Sequence, residues 1–173
     1  MIQKKVCLLG GSGVGKTSLV AQFVHSIFSD KYLTTIGVRI DKKSVDVDGT
    51  DVELVIWDVY GHDDFQKLRV SYLRGTSGYL LVADGTRADT LDTALEVQRL
   101  VTDSIGEVPF IFALNKADLV EDWRIDEVVI GELERRGWLV MKTSAKTGEH
   151  VEKAFTELSR AMLLPAARSP RHG

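Results

Sequence analysis

Eight consecutive residues, Gly10-Gly11-Ser12-Gly13-Val14-Gly15-Lys16-Thr17, combine three properties that phosphate chemistry requires. Glycines let several backbone N–H groups converge on phosphate oxygens. Lys16 adds a cation that can reach β- and γ-phosphates, and Thr17 adds a hydroxyl for Mg²⁺, a hard cation that takes oxygen ligands. The spacing satisfies G-x-x-x-x-G-K-[ST]; with glycine near 7% of residues, a chance match in a chain of this length has a probability of roughly 1%. The competing reading is a glycine turn without a ligand. An apolar run from Val6 to Leu9 precedes the motif and a helical pattern follows it. That setting points a helix N-terminus at an anion. Gly13, Val14, Gly15, Lys16, Thr17 and Ser18 are therefore candidate nucleotide-binding residues. The loop alone does not separate ATP from GTP, or a switch from a kinase.

Two further motifs bear on the base. Asn115-Lys116-Ala117-Asp118 follows the apolar run 110–114, at the carboxyl end of an expected strand, where ligands bind in open α/β sheets. Thr143-Ser144-Ala145-Lys146 follows a later run, 138–141. Either tetrapeptide alone could be an exposed loop or an ordinary helix start. Together, and in this order behind the phosphate loop, they resemble the Ras superfamily of small GTPases. The resemblance spans residues 6–164 and is strongest to the Rab-like branch, on the segments 10–18, 32–40 and 57–65 and on Arg74-Gly75.

The resemblance implies GTP/GDP as bound nucleotide with Mg²⁺, and assigns roles residue by residue. Asn115, Lys116 and Asp118 would form the guanine site, the Asp118 carboxylate accepting from guanine N1–H and the exocyclic amine. Adenine lacks that donor pair, so Asp118 would be left unpaired against ATP. Ser144, Ala145 and Lys146 would complete the site, the Ala145 N–H meeting guanine O6 and Lys146 flanking the base. Phe28 would pack edge-on against guanine, although an apolar residue after a helix is also ordinary core. Thr17, Thr35 and Asp58 would serve Mg²⁺, and Lys16, Thr35, Gly61 and His62 would act in catalysis.

A switch needs segments whose order depends on the γ-phosphate. Thr34-Thr35-Ile36-Gly37 resembles the first such segment and Trp57-Asp58-Val59-Tyr60-Gly61-His62-Asp63-Asp64-Phe65 the second. Here the chain departs from the family pattern D-T-A-G-Q. Tyr60 stands where the family has a small residue, and His62 where it has the water-orienting glutamine. Neutral imidazole carries a donor and an acceptor, so His62 could orient a water; it could equally be an exposed loop histidine. Leu33 is not an arginine, so no arginine finger in cis is visible there. Ile40, Trp57 and Tyr72 align with a Rab-type effector patch, and the alternative is that both aromatics are half-buried core.

The elements that must position these residues are legible as a βαβ alternation. Short apolar runs at 6–9, 79–83, 110–114 and 138–141 are too short for helices and read as buried parallel strands. Val38/Ile40, Val45/Val47 and Val52/Leu54/Ile56 alternate with polar residues on either side of Asp48-Gly49, the signature of a hairpin with a primed turn. Leu91/Ala94/Leu95, Ile125/Val128/Val129 and Val151/Ala154/Phe155/Leu158 repeat at helical spacing, each read as a face packed on the sheet. The expected fold is α/β: a P-loop G domain over 1–164, with a six-stranded, mostly parallel sheet, one antiparallel edge strand and helices on both faces. Residues 165–173, proline-containing and aperiodic, read as a disordered tail.

Composition adds exclusions. The 173 residues suit one domain, and a net charge of −3 offers no general attraction to nucleic acid or acidic lipid. The single cysteine, Cys7, cannot form an intramolecular disulfide and reads as a buried thiol of a cytoplasmic protein. Ile2 excludes N-myristoylation and the end Arg171-His172-Gly173 offers no cysteine for prenylation, so membrane association would come through partners. Those partners would be effectors, exchange factors and activating proteins on the switch surface of a monomer. Three functions remain: a slow GTP-hydrolysing switch, a GTP-bound scaffold whose second switch has lost useful turnover, and a P-loop nucleotide kinase. The kinase leaves both base motifs unexplained and lacks an arginine-rich lid.

Overall fold

The apolar run at 6–9 is the inner half of a longer strand, β1 (Ile2–Gly10), in the computed structural model, which describes residues 2–28, 38–59 and 70–164. Val6, Cys7 and Leu8 are wholly buried because β1 has neighbours on both sides. It runs parallel to β3 (Thr50–Val59) and to β4 (Gly78–Asp84). β5 (Phe110–Asn115) and β6 (Leu139–Lys142) extend the parallel sheet beyond β4. β2 (Val38–Val47) pairs antiparallel with β3 and gives the order β2-β3-β1-β4-β5-β6. The fold is the expected α/β P-loop architecture.

The β2–β3 turn follows from two residues. Asp48 and Gly49 have φ of 51° and 89°, the positive pair that a primed hairpin turn demands. The Gly49 N–H donates to Asp46 Oδ1 at 2.9 Å and closes the turn.

Five helices lie against the sheet among the described residues: α1 (Lys16–His25), the single turn α2 (Val70–Leu73), α3 (Asp89–Ile105), α4 (Glu127–Arg135) and α5 (Val151–Leu163). α1 and α5 cover one face, where Phe23 and Phe155 stack with ring centroids 3.9 Å apart. α3 and α4 cover the other with Val97, Val101, Ile130 and Leu133 against Tyr79, Leu81 and Phe112. Each such fully buried side chain contributes about 1.5–3 kcal/mol.

One helical face differs from expectation. Val128 is 63% exposed, and the inward residues of α4 are Ile130 and Leu133. Asp126 caps the helix by accepting from the Val128 N–H at 2.8 Å, which fixes where the 3.6-residue period begins. That phase turns Val128 outward, and Ile125 is buried as part of the preceding segment. β6 likewise begins one residue after Trp138, whose ring packs edge-on against Phe110 at 5.1 Å.

Parallel pairing puts the carboxyl ends of β1, β3, β4, β5 and β6 along one edge of the sheet. The loops that leave this edge carry the phosphate motif and both base motifs.

Candidate functional site

Asn115, the last residue of β5, is almost fully buried, so its amide must be satisfied internally. Its Nδ2 donates to the Val14 carbonyl at 3.0 Å, and its Oδ1 accepts from Thr143 Oγ1 at 3.2 Å. One side chain thus fastens the phosphate loop to the segment that follows β6. Lys116 donates to the Gly13 carbonyl at 3.2 Å and pairs with Asp84 at 2.8 Å. Asp118 accepts from Ser144 Oγ at 2.7 Å, and the Ala117 N–H donates to the Thr143 carbonyl at 3.0 Å. The two base motifs, separate in sequence, form one interlocked wall. Ser144 and Ala145 are buried in it, while Lys146 is exposed.

On the phosphate side, Lys16 is buried and its ammonium donates to the carbonyls of Gly10 at 3.2 Å and Gly11 at 2.8 Å. Gly13, Val14 and Gly15 lie between these contacts and α1, and Thr17 and Ser18 open the helix. Thr17 Oγ1 donates to Asp58 Oδ2 at 2.6 Å, joining α1 to the carboxyl end of β3. Both groups offer oxygen only. Among the described residues no three His, Cys, Asp or Glu side chains gather as a metal site. A few protein oxygens suit Mg²⁺, which keeps waters and shares phosphate oxygens instead of filling an all-protein cage.

Asp84 is a site residue that the sequence reading missed. Every residue of β4 is buried, and Asp84 ends it as a carboxylate only 1% exposed. It accepts from Lys116, from the Thr86 N–H at 2.8 Å and from Thr86 Oγ1 at 2.7 Å. Burial alone would push its pKa up, but the Lys116 and Thr86 hydrogen bonds outweigh it and hold the carboxyl below the ordinary range. A charge closing an otherwise apolar strand at the ligand edge was the available signal.

Other expected site residues are less gathered. Phe28 lies beyond α1 and is 40% exposed. Ile40, 49% exposed, sits across the β2–β3 ladder from Trp57, and the half-buried Trp57 and Tyr72 rings lie 6.5 Å apart. Lys5 Nζ stands 3.7 Å from the Trp57 ring centroid. Thr35, Gly61 and His62 lie outside the described residues. Among the described residues no helix is long and apolar enough to cross a membrane.

The sheet order and the strand–glycine loop–helix unit define a P-loop α/β domain. A model of the Ras family matches residues 5–164. The chain is 36% identical to the GTP-binding protein yptV2 of Volvox carteri, covering 92% of this chain and 75% of that protein. It is 32% identical to the Ras-related protein Rab-13 of Canis lupus familiaris, over 92% of this chain and 80% of the relative. For the Ras-related protein Rab-1 of Theileria annulata the identity is 33%, over 91% and 73%. The chain belongs to the Ras family, in its Rab-like branch. It is a small GTPase and a GTP-binding molecular switch.

Proposed function

We propose that this GTPase holds GTP or GDP with Mg²⁺ in the cleft between the phosphate loop and the Asn115–Asp118 wall, and hydrolyses GTP slowly. The observation that carries the reading is the interlock in which Asn115 and Lys116 hold the carbonyls of Val14 and Gly13 while Asp118, in the same motif, accepts from Ser144. A base-reading carboxylate and a phosphate cradle thereby share one rigid frame. Asp118 would read guanine, with Ala145 and Lys146 beside the base and Phe28 at its edge. Lys16 and the N–H groups of Gly13, Val14, Gly15, Thr17 and Ser18 would bind phosphates.

Thr17 and Asp58 would hold Mg²⁺, which when bound neutralises phosphate charge. Thr35 would join them, and Gly61 would meet the γ-phosphate through its N–H. Nucleotide state would then reshape the segments around Thr35 and Gly61 for effectors, exchange factors and activating proteins, with Ile40, Trp57 and Tyr72 as the contact patch.

Hydrolysis depends on positioning water and on stabilising transition-state charge, so the replacement of glutamine by His62 is felt in rate more than in affinity. Single-turnover conversion of bound GTP is the test. The parent should convert over hours, and His62→Gln should be faster by about tenfold, or about 1.4 kcal/mol of barrier. Tight guanine-nucleotide binding with no conversion at all would replace the switch by a GTP-bound scaffold. A slower His62→Gln variant would make His62 the water-positioning residue, and a parent that binds no guanine nucleotide would overturn the reading altogether.

A further inference from the structure

The carbonyls of the phosphate loop from Gly10 to Val14 are each claimed by a side chain. Lys16 takes those of Gly10 and Gly11, Lys116 that of Gly13 and Asn115 that of Val14. Between Gly11 and Gly13, the Ser12 carbonyl is taken by Arg87, whose Nη2 donates to it at 2.9 Å. Arg87 appears in none of the motifs that pointed to the site.

Three features make this contact more than a surface pairing. First, the base of Arg87 is fixed at the entry to α3. Its N–H donates to the Asp84 carbonyl at 3.0 Å, and its carbonyl accepts from Thr90 Oγ1 at 2.7 Å. Second, its Nε lies 3.2 Å from Asp84 Oδ2, so the planar fork spans a buried carboxylate and the loop carbonyl at once. Asp84 therefore aims two cations, Lys116 and Arg87, at the successive carbonyls of Gly13 and Ser12. Third, a trans peptide points its C=O and N–H in opposite directions. Holding Ser12 O against Arg87 directs the Gly13 N–H to the other side of the loop.

Gly13 has φ of 72°, and glycine tolerates either sign of φ, so its own backbone does not fix that orientation. Releasing the Ser12 carbonyl from Arg87 removes one restraint against the Ser12–Gly13 peptide turning over, and glycine at position 13 does not oppose that turn through its φ. A turned peptide would present an oxygen where a phosphate needs a donor.

We infer that Arg87 is a positioning residue that fixes the Ser12–Gly13 peptide so that the Gly13 N–H serves the phosphates of the bound nucleotide, and thereby sets how long a diphosphate or triphosphate stays. The inference rests on the nucleotide site proposed above. A residue acting in this way affects the phosphate cradle and spares recognition of the base.

The test uses the full chain with Mg²⁺ and compares the parent with Arg87→Ala and Arg87→Gln. Dissociation of fluorescent GDP is followed by displacement, and binding of GMP, which lacks the β- and γ-phosphates, by competition. Both variants should release GDP about tenfold faster while GMP affinity stays within about twofold of the parent. Release rates indistinguishable from the parent would overturn the inference, as would equal weakening of GDP and GMP, which signals general loosening of the fold. A parent that binds neither nucleotide would instead overturn the underlying assignment of the site.

Discussion

The two ends of the sheet treat polar groups in opposite ways. At the carboxyl end, Asp58, Asp84, Asn115, Thr143, Ser144 and Lys16 are all buried, each with protein hydrogen bonds. At the other end, where the β2–β3 turn meets α5, Arg160 pairs with Asp48 at 3.2 Å and with Glu157, and all three face solvent or its margin. Burying a polar group is costly unless it is hydrogen-bonded, whereas an exposed ion pair is nearly neutral in energy. The polar groups at the carboxyl end therefore carry an energetic risk that folding alone does not require. The contrast separates a working end from a merely solvated one.

Substitutions at the two ends should differ accordingly. The largest effect is expected at Asp118, where asparagine would present a donor against guanine N1–H, itself a donor. Asp118→Asn should shift preference from guanine towards xanthosine nucleotides by about 100-fold or more in a competition assay. Unchanged preference would remove Asp118 from the base site.

An intermediate effect is expected at Asp84. Asp84→Asn should lower stability at neutral pH by about 1–3 kcal/mol, because Lys116 and Arg87 lose a charged acceptor but can return partly to water. The folded-state pKa of Asp84 is depressed below its unfolded value, so its contribution is present above about pH 4 and fades as pH falls through the folded pKa. The gap between parent and variant in denaturant melts should therefore close in acid. A gap independent of pH would mean that the charge of Asp84 is not what the fold uses.

The smallest effect belongs to the solvated end. Arg160→Ala should move the thermal midpoint by less than about 2 °C, since its pairs are exposed and screened. A larger shift would blur the contrast between the ends.

The phosphate loop was legible because backbone chemistry fixes its residue types at fixed spacing, and the sheet was legible from apolar runs that end at the same loops. Asp48-Gly49 specified the primed turn for a local steric reason. The phase of α4 was not legible, because it depends on where Asp126 caps the helix, and Ile125 disguised the start. Asp84 and Arg87 escaped for a different reason. Their partners, Lys116 and the Ser12 carbonyl, are brought to them by the pairing of β4 with β1 and β5, and no local pattern encodes that pairing.

The central place of β1 has a bearing on amide exchange. The strand that delivers the phosphate loop is hydrogen-bonded along both edges, to β3 and to β4, and its inner residues are sealed from water on both faces. Its amides at Val6, Cys7 and Leu8 can meet solvent deuterium only when the sheet itself opens, so they belong to the slowest-exchanging unit of the chain. The phosphate loop is thus rooted in the part of the molecule that opens last. The fastenings of the loop, Asn115, Lys116 and Arg87, can therefore give way without the strand beneath them opening.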